Sequence, residues 1–201
     1  MLKNETIDYY NTQARDFVSD TVNVAFTDIQ DTFLAYLPPS GKILDFGCGS
    51  GRDTKYFLSK GYEVDATDGS EELCKMAGEY TGVQVKQMLF DELDAVKAYD
   101  GIWACASILH AEKKSLPGIL KKMAIATKNG GVIYTSFKYG DFEGVINGRF
   151  FTYLTAVSFG ELLKEIPELA VEKLWISADA RPERGGERWL NSILRKQVCN
   201  G

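Results

Sequence analysis

The chain has 201 residues, a net charge of −5, four cysteines and one histidine. That length suits one domain with a real core, and 45% hydrophobic with 25% charged residues is the composition of an ordinary soluble protein. The acidic balance speaks against a protein that binds nucleic acid by neutralising phosphates, no apolar run approaches a membrane span, and one histidine leaves little material for a His/Cys zinc site.

Met1-Leu2-Lys3-Asn4-Glu5 is followed by no apolar stretch, so no export signal is expected. Residues 4–18 place Ile7, Tyr10, Ala14, Phe17 and Val18 at helical spacing. A second helical pattern covers 25–37, with Phe26, Ile29, Phe33, Leu34 and Leu37 on one side, and Pro38-Pro39-Ser40-Gly41 ends it. These helices are expected to cap a sheet. Strands are then expected at 42–46, 62–67, 83–88, 99–106 and 132–137. Helices are expected between them at 52–60, 70–80 and 116–127. Gly61 closes the first of these, Ser70 caps the second, and Asn129-Gly130-Gly131 closes the third. Strands alternating with helices mean right-handed βαβ units and a parallel sheet. Residues 138–157 show no clean period. A short helix at 159–166 and a strand at 171–177 follow. Residues 189–196 fit either a helix or a strand.

Cys48, Cys74, Cys105 and Cys199 form no C-x-x-C pair, and three lie in or beside regular elements. Free thiols in a reducing cytosol are therefore expected.

The stretch Ile43-Leu44-Asp45-Phe46-Gly47-Cys48-Gly49-Ser50-Gly51-Arg52-Asp53 is a strand, a tight glycine loop and a helix start. Glycine lets the backbone turn with positive φ and lets a ligand lie close, and the helix N-terminus faces that ligand with a favourable dipole. A dinucleotide fingerprint reads G-x-G-x-x-G. Here the spacing is G-x-G-x-G, and Asp45 near the strand end would repel phosphates and welcome a cation. Asp68, 17 residues after Gly51, closes the second strand, where one acceptor-only carboxylate suits the two neighbouring hydroxyls of a ribose.

Asp-Phe-Gly-Cys-Gly-Ser-Gly resembles the first motif of the class I S-adenosylmethionine-dependent methyltransferases, and Gly47 through Asp68 is similar to the tellurite-resistance type among them. Gly148-Arg149-Phe150-Phe151 and the terminal Trp-Leu-Asn-Ser-Ile-Leu-Arg-Lys resemble a bacterial branch of small methyltransferases. The resemblance covers roughly residues 9–196 and implies an α/β Rossmann-like methyltransferase fold. That fold has a mostly parallel seven-stranded sheet, helices on both faces, and 189–196 as a final antiparallel strand paired with 171–177. One domain is expected: a helical cap at 1–40, a cofactor-binding half at 41–137 and a substrate side at 138–201.

The same resemblance implies S-adenosyl-L-methionine as cofactor and S-adenosyl-L-homocysteine as product. It assigns Tyr10, Asp45, Gly47, Gly49, Gly51, Asp68, Gly69, Ser70, Phe90, Asp91 and Cys105 to the cofactor. Asp91 would accept from the adenine amine, with Glu92 as its alternative, and Phe90 or Leu89 would pack on the ring. Cys105 and Ala106 would pass beneath the sulfonium. The reaction implied is in-line methyl transfer to a small-molecule acceptor by a cytoplasmic monomer or homodimer, with neither nucleic acid nor membrane as partner. His110 is the candidate base or substrate contact. Lys138, Arg149, Phe150, Arg181 and Trp189 are the remaining substrate candidates. Their aromatics and arginines would form an anion-tolerant pocket, or else a core hairpin with solvated ends. Arg52 would pair with the cofactor's carboxylate or hold Asp45. Three rivals stand beside this reading: a cofactor-binding protein without turnover, a nicotinamide-dependent oxidoreductase, and a nucleic-acid or protein methyltransferase, the last weakened by the acidic balance and by Ala104-Cys105-Ala106-Ser107 in place of an Asn/Asp-Pro-Pro-Tyr-type motif.

Overall fold

A computed structural model describes residues 2–181 and 184–198, with side chains from Glu5 onward. Strands β1 (Lys42–Phe46), β2 (Glu63–Asp68), β3 (Val85–Gln87), β4 (Tyr99–Ala104), β5 (Thr127–Lys138), β8 (Leu169–Ala178) and β9 (Arg188–Lys196) form one sheet. Its order is β3-β2-β1-β4-β5-β9-β8. The pairs among β1 to β5 are parallel, and β9 runs antiparallel between β5 and β8. The ambiguous run at 189–196 is thus a strand, because both of its edges are taken by partners. This is the seven-stranded Rossmann-like arrangement, with one antiparallel strand.

Successive side chains of a strand face opposite ways, and the sheet has a core on each face. Leu44, Ile102 and Ile133 point to one core, with Leu120 and Met123 of α6 (Leu116–Ala126) and Phe159 of α7 (Ala156–Leu163). Their neighbours Ile43, Trp103 and Val132 point to the other, with Phe33 of α3 (Thr27–Leu34) and Phe57 of α4 (Arg52–Ser59). There Trp103 stacks on Tyr134, ring centroids 4.0 Å apart. The helix α5 (Glu71–Thr81) starts on Ser70, whose hydroxyl accepts from the Leu73 amide as an N-cap does.

Four local expectations are revised. The N-terminal helical pattern is two helices, α1 (Leu2–Thr12) and α2 (Ala14–Thr21), broken at Gln13. The short helix begins earlier than expected, at Ala156, because Thr155 caps it through the Ser158 amide. Asn129-Gly130-Gly131 does not follow the helix as a closing turn. Strand β5 begins at Thr127 opposite Tyr99, and its pairing jumps to Val132 opposite Gly101, so residues 128–131 bulge out of the ladder with Gly130 at φ 77°. The stretch without period holds a hairpin, β6 (Glu143–Ile146) and β7 (Arg149–Thr152). Its turn is Asn147-Gly148 with φ 50° and 77°, the left-handed pair that a two-residue hairpin turn requires.

Cys48, Cys74 and Cys105 are free thiols, and Cys199 and Pro182 lie outside the described residues. Among the described residues, no helix is long and apolar enough to cross a membrane, and no three His, Cys, Asp or Glu residues are grouped to hold a metal ion.

Candidate active site

The strand order reverses between β1 and β4, and in such a sheet the cleft opens beyond the carboxyl ends of those strands. A cavity of about 260 Å³ lies there, walled by the loops after β1, β2, β3 and β4, by α1 and α2, and by the hairpin and the β8–β9 connection. Its two ends differ in chemistry.

At one end Gly47 and Gly49 carry positive φ, 88° and 55°. A Cβ on Gly47 would sit 2.4 Å from Ser107 Cβ, and one on Gly49 would sit 3.0 Å from Phe17, so a side chain at either position would collide with the cavity wall that both glycines line. The Asp68 carboxylate closes the loop from the neighbouring strand, accepting from the Gly49 and Ser70 amides, both at 2.9 Å. Burial pushes its pKa up, while these backbone bonds pull it down. Gly69, Ser70, Leu89, Phe90 and Cys105 line the same end, and Phe90 packs on Phe46 at 5.1 Å. Burial pushes the Cys105 thiol up to about 12, so it stays protonated. Ser107 Oγ is buried in this wall with no hydrogen-bond partner.

The other end is aromatic and cationic. Tyr10, His110, Lys138, Arg149, Phe151, Arg181, Arg184 and Trp189 line it. His110 Nδ1 lies 2.6 Å from the Phe150 carbonyl oxygen, and Nε2 lies 2.9 Å from the Tyr10 hydroxyl. The carbonyl only accepts, so Nδ1 carries the proton and the neutral ring's Nε2 accepts from Tyr10. Burial holds the His110 pKa down at about 4; the Phe150 bond raises it, and Arg149 and Lys138 lower it further. Lys138 pairs with Glu187 at 2.6 Å. Asp179 takes Arg181 at 2.9 and 2.8 Å and Trp189 Nε1 at 3.0 Å, so one carboxylate holds both side chains in the wall. Burial drives that carboxyl upward, but Arg181 outweighs it and leaves the pKa at about 2.

Four assigned residues do not line the cavity. Asp45 is 2% exposed beneath the loop and accepts from Thr54 Oγ1 at 2.6 Å. Burial and then neighbouring Asp53 lift its pKa to about 8, so it is a protonated core group and no cation-facing carboxylate. Gly51 is the N-cap of α4 at φ 78°; a Cβ there would meet Thr81 Cγ2 of α5 at 2.8 Å, so its bareness serves helix packing. Asp91 lies in a 3₁₀ turn at Phe90–Glu92, which turns Phe90 but not Asp91 into the wall. Glu92, the alternative, has its carboxylate on the Leu89 amide at 2.7 Å. Phe150 gives way to Phe151, because alternate residues of β7 face opposite sides and Arg149 and Phe151 share the cavity side. The Phe150 amide instead donates to Thr6 Oγ1 at 2.9 Å. His110 likewise offers the cavity no bare nitrogen, since Tyr10 covers it.

A buried cluster went unseen in the sequence. Asp53 accepts from Gln30 Nε2 at 2.6 Å, from Arg52 Nε and Nη2 at 2.7 and 2.9 Å, and from Trp103 Nε1 at 2.8 Å. Arg52 therefore holds its own neighbour and not Asp45, and its guanidinium lies 4.4 Å from the Phe26 ring. Hydrophobic pattern carries no signal for such a cluster, because its four members come from three distant segments.

A family model described as a methyltransferase domain matches residues 43–131. A probable S-adenosyl-L-methionine-dependent methyltransferase, TehB of Haemophilus influenzae, is 28% identical over 95 residues, 45% of this chain. The chain spans about a third (33%) of the length of the curated relatives it matches. Among solved structures, the 1,6-didemethyltoxoflavin-N1-methyltransferase of Burkholderia thailandensis superposes with TM-score 0.80 at 21% identity, over 98% of this chain and 89% of that one. That structure holds 1,6-didemethyltoxoflavin and S-adenosylhomocysteine. The [4+2]-cyclase SpnF superposes with TM-score 0.71 at 13% identity, over 95% and 94% of the two chains. At these identities the likeness is one of fold, and the fold by itself does not name the reaction.

Proposed function

We propose that this chain, which belongs to the class I S-adenosylmethionine-dependent methyltransferases by its residues 43–131, transfers a methyl group to a small-molecule acceptor. The observation that carries the reading is the convergence, in one cavity, of the bare Gly47–Gly49 backbone and the half-buried Asp68 carboxylate. Bound S-adenosylmethionine supplies a methyl carbon on a sulfonium that is already a good leaving group. The residues present fit it. Asp68 has lone pairs left over for two vicinal hydroxyls after its two backbone bonds. Leu89 and Phe90 form an apolar wall for a base, and Ser107 Oγ is an unused polar group beside it.

The protein's part is then to bind, orient and exclude water, because an in-line displacement depends on the attack geometry. Helices α1 and α2 supply Tyr10 and Phe17 to the cavity's cover. The aromatic and cationic end takes the acceptor, and Tyr10 can offer its lone pairs there while its proton points at His110.

Thermal melting with and without S-adenosylhomocysteine tests the reading. Ligand at about 100 times Kd adds ~2.7 kcal/mol, a rise of about 5–11 °C for a domain of this size. Asp68→Asn is the milder variant, since its one carbonyl oxygen still accepts from one of the Gly49 and Ser70 amides, whereas Asp68→Ala strands both. The rise is expected in the wild type and should shrink in Asp68→Asn. No rise in nucleotide-free wild type would reject the reading.

A further inference from the structure

We infer that the methyl acceptor is an aromatic anion whose negative charge seats against Arg149, an inference that rests on the methyltransferase reading. Arg149 Nε is buried with no hydrogen-bond partner. The guanidinium lies among rings, 4.7 Å from Tyr9 and 5.2 Å from Phe151, and its other nitrogens face the Tyr10 hydroxyl, which leaves the Nε edge without an acceptor. Of the three other cations at this end, Lys138 and Arg181 have carboxylates of their own, on Glu187 and Asp179, and Arg184 lies in the same wall. A guanidinium edge taken from water without an acceptor is unfavourable, and an arriving anion would reverse that cost. The positive character is local, for the chain as a whole carries −5.

The same wall supplies flat apolar surface. Phe151 and Trp189 line the cavity beside Arg149, and the Trp189 indole is pinned by Asp179. A planar conjugated acceptor would meet both a ring face and a fork of donors that matches a carboxylate-like edge bidentately.

An anionic acceptor also resolves the proton question. Nε2 of His110 already holds the Tyr10 hydroxyl, and the two cations beside the ring oppose an imidazolium. With an anion, the acceptor's own electron pair forms the new bond to carbon as the carbon–sulfur pair leaves on sulfur. The acceptor becomes neutral and no proton needs a base.

The test uses matched probes: benzoate against benzamide, and 2-naphthoate against 2-naphthamide. Each is titrated calorimetrically into the protein with and without saturating S-adenosylhomocysteine. Charge-assisted bonding predicts that a carboxylate binds about 10–100-fold tighter than its amide. Arg149→Met should abolish that ratio, Arg149→Lys should keep part of it, and both should bind S-adenosylhomocysteine within about twofold of wild type, with melting curves confirming folded protein. Equal affinity within each pair, binding of neither probe, or a ratio that survives in Arg149→Met would overturn the inference. Absence of S-adenosylhomocysteine binding would overturn the methyltransferase reading alone, because the probe ratio on the free protein still decides the anion site.

Discussion

The buried cluster around Asp53 offers the sharpest test of how this fold is held together. Asp53→Asn keeps the shape and removes the charge. The asparagine has one acceptor oxygen for the four donors that now converge on two. The best rotamer keeps that oxygen on Trp103 Nε1 and Arg52 Nη2, since Gln30 can turn its own amide to receive the new N–H. Arg52 Nε then faces a donor, and its guanidinium stays in the protein without a counter-charge, only 20% exposed. Breaking a buried pair on one side costs about 3–5 kcal/mol, or roughly 6–20 °C in Tm for a chain of this size. Urea unfolding at pH 7 measures it, with an unchanged m-value showing that the loss is one of stability. Adding Arg52→Met removes the stranded cation and should recover about half of the loss or more. A loss under about 1 kcal/mol, or no recovery in the double variant, would refute the claim that Asp53 is the buried counter-ion of this wall.

Asp45 makes a pH prediction with a definite sign. Its folded pKa of about 8 lies above the ordinary carboxylate value, so the stability it gives is present at low pH and is lost as pH rises toward 8. Asp45→Asn has no such titration. Its stability should gain on wild type by about 1.4 kcal/mol per pH unit across that window, and parallel urea profiles would show Asp45 ionised in the fold. Gly47→Ala should weaken S-adenosylhomocysteine binding by about tenfold or more, because its Cβ falls 2.4 Å from Ser107 Cβ and the loop must move at positive φ; calorimetry showing wild-type affinity would contradict this.

Local chemistry alone determined a good deal of this protein. A strand ending in closely spaced glycines makes a loop whatever surrounds it, and alternating strand and helix patterns make a parallel sheet. Ser70 caps its helix through a bond three residues away. The Asn147-Gly148 pair was equally legible, and reading it would have located the hairpin, since those residue types tolerate left-handed φ. Which side chains meet is a different matter. Thr6 reaches Phe150 across 144 residues and Tyr10 reaches His110 across 100. No local pattern encodes such contacts. Asp45 and Asp68 both lie toward the ends of adjacent strands, yet one sinks under the glycine loop and the other faces the cavity. Phe150 and Phe151 are the same residue type, and the pleat of β7 sends only the second to the cavity. Burial, charge and bareness at a site are set by what the rest of the chain packs around each residue, and that is decided only when the distant segments come together.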